Sequence, residues 1–316
     1  MTLKPHFDLY ICSCAPDGGL VRVSVDKKTG EIKKTAEVKL ERPMYAIKKD
    51  EGLLVITRNG GEGEHGALYK FGIEKDGALT QIGEKVDTGG RVPCHLDASG
   101  DDIYVVNYLS GNVQLIGGKA VSHTGRGVHP TRQEAPHTHC ARLAPDGRVL
   151  VSDLGLDTVF VYSRELEFLS SVRVPDGYGV RHLVFSEDGK YFYAINELKS
   201  SVSVFEYDGT PRLLGTYPAA PDLEGNTGAA IRLDGGKLYA SNRGHDSVAV
   251  FKIDGKTLEF ERYLSVFGKE PRDFDVFGDF LVCTNQRSDS VTVIDKRTGE
   301  LLSRLWVKEP LCVTEI

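Results

Sequence analysis

The stretch Gly179–Leu198, GVRHLVFSEDGKYFYAINEL, reads as one β-hairpin. Leu183-Val184-Phe185 is a short apolar strand, and Tyr191-Phe192-Tyr193-Ala194-Ile195 is an aromatic and β-branched one. Between them Ser186-Glu187-Asp188-Gly189-Lys190 has turn chemistry, with Gly189 free to take positive φ. Polar residues close both outer ends: Arg181 and His182 before the first strand, Asn196 and Glu197 after the second. In an antiparallel hairpin those two ends lie side by side, so Arg181 and Glu197 are expected to meet opposite the turn.

The unit recurs. Leu143 runs through Pro145-Asp146-Gly147 into Val149-Leu150-Val151, and Ile231 through Asp234-Gly235-Gly236 into Leu238-Tyr239-Ala240. Phe274 runs through Gly278-Asp279 into Phe280-Leu281-Val282. Each copy continues into a third strand, such as Ser201–Phe205 or Ser247–Phe251. Asp153, Asn196, Asn242 and Asn285 hold one equivalent position, at spacings of 43, 46 and 43 residues. A period in the forties built of short strands marks a β-propeller. A single Trp306 and no Trp-Asp pair argue against WD repeats.

Counting outward gives repeats at 43–92, 93–135, 136–179, 180–226, 227–270 and 271–309. Residues 6–41 hold three strands but lack an inner one, and Pro310–Ile316 resembles the inner strands Pro43–Ile47 and Pro271–Phe277. The expectation is an all-β, seven-bladed propeller spanning residues 1–316 as one domain, its ring closed by the C-terminal strand joining the N-terminal blade. Closure removes an open sheet edge. The insert Gly60–Gly66 reads as a flexible loop.

Net charge is −6, which speaks against nucleic acid or an anionic membrane as partner. No apolar run approaches the roughly 20 residues of a membrane span, and the N-terminus shows no secretory signal. Cys12, Cys14, Cys94, Cys140, Cys283 and Cys312 follow no Cys-x-x-Cys pattern. They read as reduced thiols of a cytoplasmic protein. The oligomeric state is open.

Chemistry concentrates at one channel mouth. Residues before each inner strand and after each second strand include His95, His137, His139, Arg181, His182, Glu197, Asn242, Arg243, Arg272 and Gln286. Convergent Arg, His and carboxylate suit a small anionic substrate. Bland roles stand beside this one. The Asn and Asp series reads as turn framework, Arg181 pairs with Glu197, His182 packs between blades, and Arg142 and Arg148 are solvated. The stretch 122–139 carries four His, yet its spacing fits no metal motif. It reads as a long loop over the mouth that contributes His137 and His139. No metal and no cofactor are expected.

At these residues the chain resembles the lactonase family of seven-bladed propellers, which includes propeller-type 6-phosphogluconolactonases and fungal carboxy-cis,cis-muconate lactonizing enzymes. The resemblance rests on Arg132-Gln133-x-x-Pro136-His137-x-His139, Gly179-Val180-Arg181-His182, Asn196-Glu197-Leu198, Ser241–Ser247, and Pro271-Arg272 with Asn285-Gln286. Val180 stands where proline is commoner, and Asp273 follows Arg272 where the family often has another residue. The resemblance implies a catalytic cluster of His139, Arg181, Glu197 and Arg243. It implies substrate contacts from His95, His137, His182, Asn242, Arg272 and Gln286, and an anionic lactone, most simply 6-phosphogluconolactone, as substrate. Glu197 or His139 would activate water, Arg181 or Arg243 would stabilise the oxyanion, and Arg272 would help hold phosphate or carboxylate. A lactonizing isomerase or lyase acting on a carboxylated substrate, and a non-catalytic ligand-binding propeller, are the rival readings.

Overall fold

The hairpin repeat folds as its pattern requires. Val180–Phe185 pairs antiparallel with Tyr191–Asn196, and Gly189 takes φ 69° in the turn between them. The structure is a computed structural model describing residues 5–58, 64–254 and 256–316. Seven antiparallel sheets follow one another along the chain, each with four strands in sequence order except in the blade that joins the termini. Blade two carries a fifth short strand, Val86–Asp87. Residues 60–63 of the Gly60–Gly66 insert lie outside the described residues.

The inner strands are Pro310–Glu315, Pro43–Lys49, Pro93–Ser99, Thr138–Leu143, Val180–Phe185, Thr227–Asp234 and Pro271–Phe277, for blades one to seven. The second strands are His6–Ser13, Gly52–Thr57, Asp102–Asn107, Val149–Asp153, Tyr191–Asn196, Lys237–Arg243 and Phe280–Asn285. Pro310–Glu315 pairs with His6–Ser13, so blade one is built from both ends of the chain and the ring closes there. Apolar faces pack between neighbouring blades. Val159, Val161 and Cys140 of blade four meet Phe192, Ala194 and Phe205 of blade five, while Val282 and Val291 of blade seven meet Leu9 and Ile11 of blade one. Outer strands alternate exposed and half-buried, as in Phe168–Arg173, because one face meets water.

One irregularity recurs and positions everything that follows. In every blade the register slips where the inner strand begins. The slip leaves an extra inner-strand residue unpaired: Leu311, Met44, Cys94, His139, Arg181 and Arg272 in six blades. In blade six it spans Gly228 to Ile231. A bulge re-aims the side chain of its extra residue. The residue before the inner strand is correspondingly forced into the left-handed region, at Arg42, Val92, Glu270 and Glu309 with φ of 46°, 56°, 59° and 40°. In blade five glycine takes that place, Gly179 with φ 68°.

Candidate active site

Two rings of side chains surround one mouth of the channel. The inner ring is the set of bulged residues. The outer ring is the residue that follows each second strand: Cys14, Arg58, Tyr108, Leu154, Glu197 and Gln286. Each donates its backbone N–H to the residue before the inner strand of its own blade, as Glu197 does to the Gly179 carbonyl at 2.7 Å and Arg58 to Arg42 at 3.0 Å. Arg243 holds the same position in blade six, directly after Asn242. All but Arg181 and Leu154 of these ring side chains line a cavity of about 410 Å³, a size suited to a small metabolite. Its walls carry five arginines (Arg42, Arg58, Arg132, Arg243, Arg272) against two carboxylates, Glu197 and Glu309. A chain of net charge −6 thus presents a cationic pocket.

Glu197 is the electrostatic centre. It is 2% exposed and lies 3.0 Å from Arg181 Nε and 3.0 Å from Arg243 Nη2, both through Oε2. Its Oε1 accepts a hydrogen bond from Arg132. Burial alone would raise its pKa, but Arg243, Arg181, His139 and Arg132 overcome that and hold the carboxyl far below the ordinary carboxylate range. Burial pulls the Arg181 guanidinium down from its usual value, with Glu197 opposing and Arg243 adding to the effect.

His139 borders the same cavity and is 4% exposed. Burial first, then the Arg181 charge, keeps its imidazole neutral to well below the usual histidine pKa. Its ring sits 5.1 Å from His182, which sits 5.0 Å from His95, which stacks 4.6 Å from Tyr45. His182 therefore lies in the channel among other rings, not between blades. It also faces Arg181 Nη1 at 3.3 Å, so its Nε2 is the acceptor.

The remaining expected residues divide. Arg272, Gln286 and Arg243 border the cavity with Glu197 and His139. Arg181 and His182 lie just beneath, beside Tyr45 and Asp273. The structure does not bring Asn242 there: it is fully buried and donates to the Ala219 carbonyl at 2.7 Å. Asn107, Asn196 and Asn285 likewise bond framework groups, and Asp153 accepts from the His137 N–H at 2.8 Å. His137 stacks on Tyr108 at 4.3 Å, outside the cavity lining. His95 lies deeper, 1% exposed.

The loop before blade four delivers something other than its histidines. His123 is tied to Asp153 at 2.6 Å and to Tyr162 at 2.8 Å, and His139 belongs to an inner strand. Among the described residues no group of three His, Cys, Asp or Glu side chains is placed to hold a metal ion. What the loop contributes is Arg132, anchored because the fully buried Gln133 beside it bonds Leu154 O at 2.8 Å and the His129 N–H at 3.0 Å. Arg42, Arg58, Tyr108 and Arg132 went unrecognised as site residues in the sequence. The signal for Arg58 was its position, one residue after a second strand.

A larger concavity, about 560 Å³, occupies the opposite mouth. Its buried arginine is already matched: Arg232 meets Asp273 at 2.7 Å and Asp275 at 3.4 Å. Arg142, expected in solvent, has a side chain only 33% exposed and approaches Asp97 at 3.5 Å there.

A model of the seven-bladed β-propeller lactonases matches residues 8–315. The chain belongs to the lactonase family. An uncharacterized protein of Lactococcus lactis, YwcC, is 33% identical over 312 residues, covering 90% of each chain. The structure of the periplasmic gluconolactonase of Pseudomonas aeruginosa is 28% identical, covers 98% of this chain and 99% of its own, and superposes with a TM-score of 0.87. A Bacteroides fragilis structure, provisionally named a 6-phosphogluconolactonase, is 27% identical with a TM-score of 0.90, over 100% of this chain and 99% of its own. Family membership implies a small-molecule lactone as substrate. Among the described residues no helix is long and apolar enough to cross a membrane.

Proposed function

We propose that this protein hydrolyses a sugar lactone at the Glu197 mouth, and that the substrate is 6-phosphogluconolactone, opened to 6-phosphogluconate. The observation that carries the reading is the buried Glu197 carboxylate held by three arginines beside a neutral, cavity-facing His139. The named relatives from Pseudomonas and Bacteroides support the substrate class.

The geometry divides the labour. A carboxylate held so far below its ordinary pKa is a weak base, so Glu197 orients the guanidiniums and balances their charge. His139 accepts the proton of the attacking water. Water oxygen bonds to the lactone carbonyl carbon, and the oxyanion that forms takes hydrogen bonds from Arg243 and Arg132, the two arginines that meet both Glu197 and the cavity. Collapse of the tetrahedral intermediate breaks the ring C–O bond, and the His139 imidazolium returns its proton to the departing alkoxide. The Glu197 charge stabilises that imidazolium in between.

The test is a panel of purified protein against 6-phosphogluconolactone, glucono-δ-lactone and muconates, with His139→Gln and Glu197→Gln alongside. Turnover of a sugar lactone, lowered about 10²–10⁴-fold by His139→Gln, is the expected result. Turnover of muconates alone would move the chain to the lactonizing reaction, and binding without turnover on every member would make it a non-catalytic propeller.

A further inference from the structure

The cavity holds a second group of charges that the hydrolytic step leaves unused. Arg42 and Arg58 bracket the mouth end of blade two and are tied backbone to backbone, and Arg272 is the bulged residue of blade seven. All three line the cavity. Among the described residues none of these guanidiniums makes an ion pair or a hydrogen bond. Burial first, then the neighbouring Arg243 charge, pulls Arg272 below its ordinary value, with Glu197 opposing. Arg272, Glu309, Arg58 and Arg42 all act on the Cys14 thiol, which places the four charges around one point of the wall.

The mouth is therefore polarised. His139, Arg181 with Glu197, and Arg243 come from blades four, five and six. Arg272, Glu309, and Arg42 with Arg58 come from blades seven, one and two, across the ring. Three cations against the single Glu309 leave a surplus of two positive charges on that side. A phosphate monoester carries about −1.5 to −2 at neutral pH and three acceptor oxygens, whereas one carboxylate would leave a guanidinium unmatched.

We propose that Arg42, Arg58 and Arg272 form a phosphate subsite, which receives a phosphate monoester at the end of the substrate remote from the lactone carbonyl. The inference rests on the lactone reading for its geometry, since it needs a ligand that spans the mouth. It makes the substrate a phosphorylated sugar lactone and assigns the discrimination against plain lactones to blades two and seven. Guanidinium forks suit this task because they offer paired donors to phosphate oxygens.

The experiment is calorimetric titration of the full chain with 6-phosphogluconate and with gluconate, neither of which has a lactone left to open. The wild type is expected to bind 6-phosphogluconate about 10²-fold tighter, as two or more charge-assisted hydrogen bonds would give. Arg42→Ala and Arg58→Ala should each cut that preference about tenfold, and the double variant should abolish it. Arg58 is exposed, so its loss should leave the melting temperature in place, and Arg58→Lys keeps the charge without the fork as a second variant. Equal binding of the two acids by the wild type, or a preference untouched in both alanine variants, overturns the subsite. The two readings fail separately. Lactone turnover without a phosphate preference removes the subsite alone, and a phosphate preference without lactone turnover removes the hydrolytic reading alone.

Discussion

Lowering the pH from 7.5 to 5.5 should destabilise the fold by about 4 kcal/mol through three histidines. His95, His139 and His182 are 1%, 4% and 5% exposed. Burial is the main cause that holds each well below the ordinary value of 6.5, aided by Arg142 at His95 and by Arg181 at His139 and His182. In the unfolded chain each takes up a proton near 6.5. The folded pKa is the depressed one, so the stability is fully present above 6.5 and is lost as pH falls below it. Each group contributes about 1.4 kcal/mol per pH unit once the unfolded form is protonated, which over this interval sums to about 4 kcal/mol for three. For a domain of this size that is on the order of 5–10 °C in Tm. Scanning calorimetry at constant salt measures it, and His95→Phe, which removes one titrating ring from the set, should reduce the slope by about a third. A Tm that stays level from pH 7.5 to 5.5, or a slope identical in the variant, would refute the picture of three neutral imidazoles in the channel.

Deleting Pro310–Ile316 should abolish cooperative unfolding or cause aggregation. It strips the inner strand of blade one and uncovers Leu311 and Val313, whose burial is worth about 3–6 kcal/mol; a soluble truncation with the wild-type Tm would contradict closure by this strand. Glu197→Gln should lower both turnover and stability, the latter by about 3–5 kcal/mol, because it leaves the buried Arg181 without its counter-charge; thermal melts beside kinetics on one preparation decide it, and a variant as stable as wild type is the contrary outcome. With His139 as the base, kcat/KM should stay flat from pH 7.5 to 6.5 and fall only further into acid; an acid limb that already begins above pH 7 would point to another group.

The propeller was legible because each hairpin advertises its own turn and because Pro310–Ile316 looks like an inner strand that has lost its blade. The meeting of Arg181 and Glu197 followed from hairpin geometry alone and is realised at 3.0 Å. The bulges were not legible. Period-two alternation fixes which residues share a face, but a one-residue slip at the mouth changes the face without leaving a mark in composition. That is why Asn242 looked as exposed to substrate as Arg243 beside it, and why the Arg142 end of the same strands looked like plain surface. Arg132 was hidden for a different reason: it reaches Glu197 from a loop 65 residues away, and only the buried Gln133 anchor fixes that path. Arg58 escaped notice because blade two has Thr57 where blades three to seven carry Asn or Asp, so its repeat did not draw the eye.

The repeated bulge separates what the ring must keep from what it can exchange. The Asn and Asp side chains before the outer ring bond framework groups, Asn107 and Asn242 reaching carbonyls of the preceding blade, so altering them threatens the frame. The bulged residue beside them is unpaired in the strand ladder and faces the cavity or the channel just beneath it, so Met44, Cys94, His139, Arg181, Arg272 and Leu311 behave as type slots in a fixed press. Changing one character alters the message at the mouth and leaves the press intact. A new substrate can thus be set one blade at a time, with no strand shifting its register.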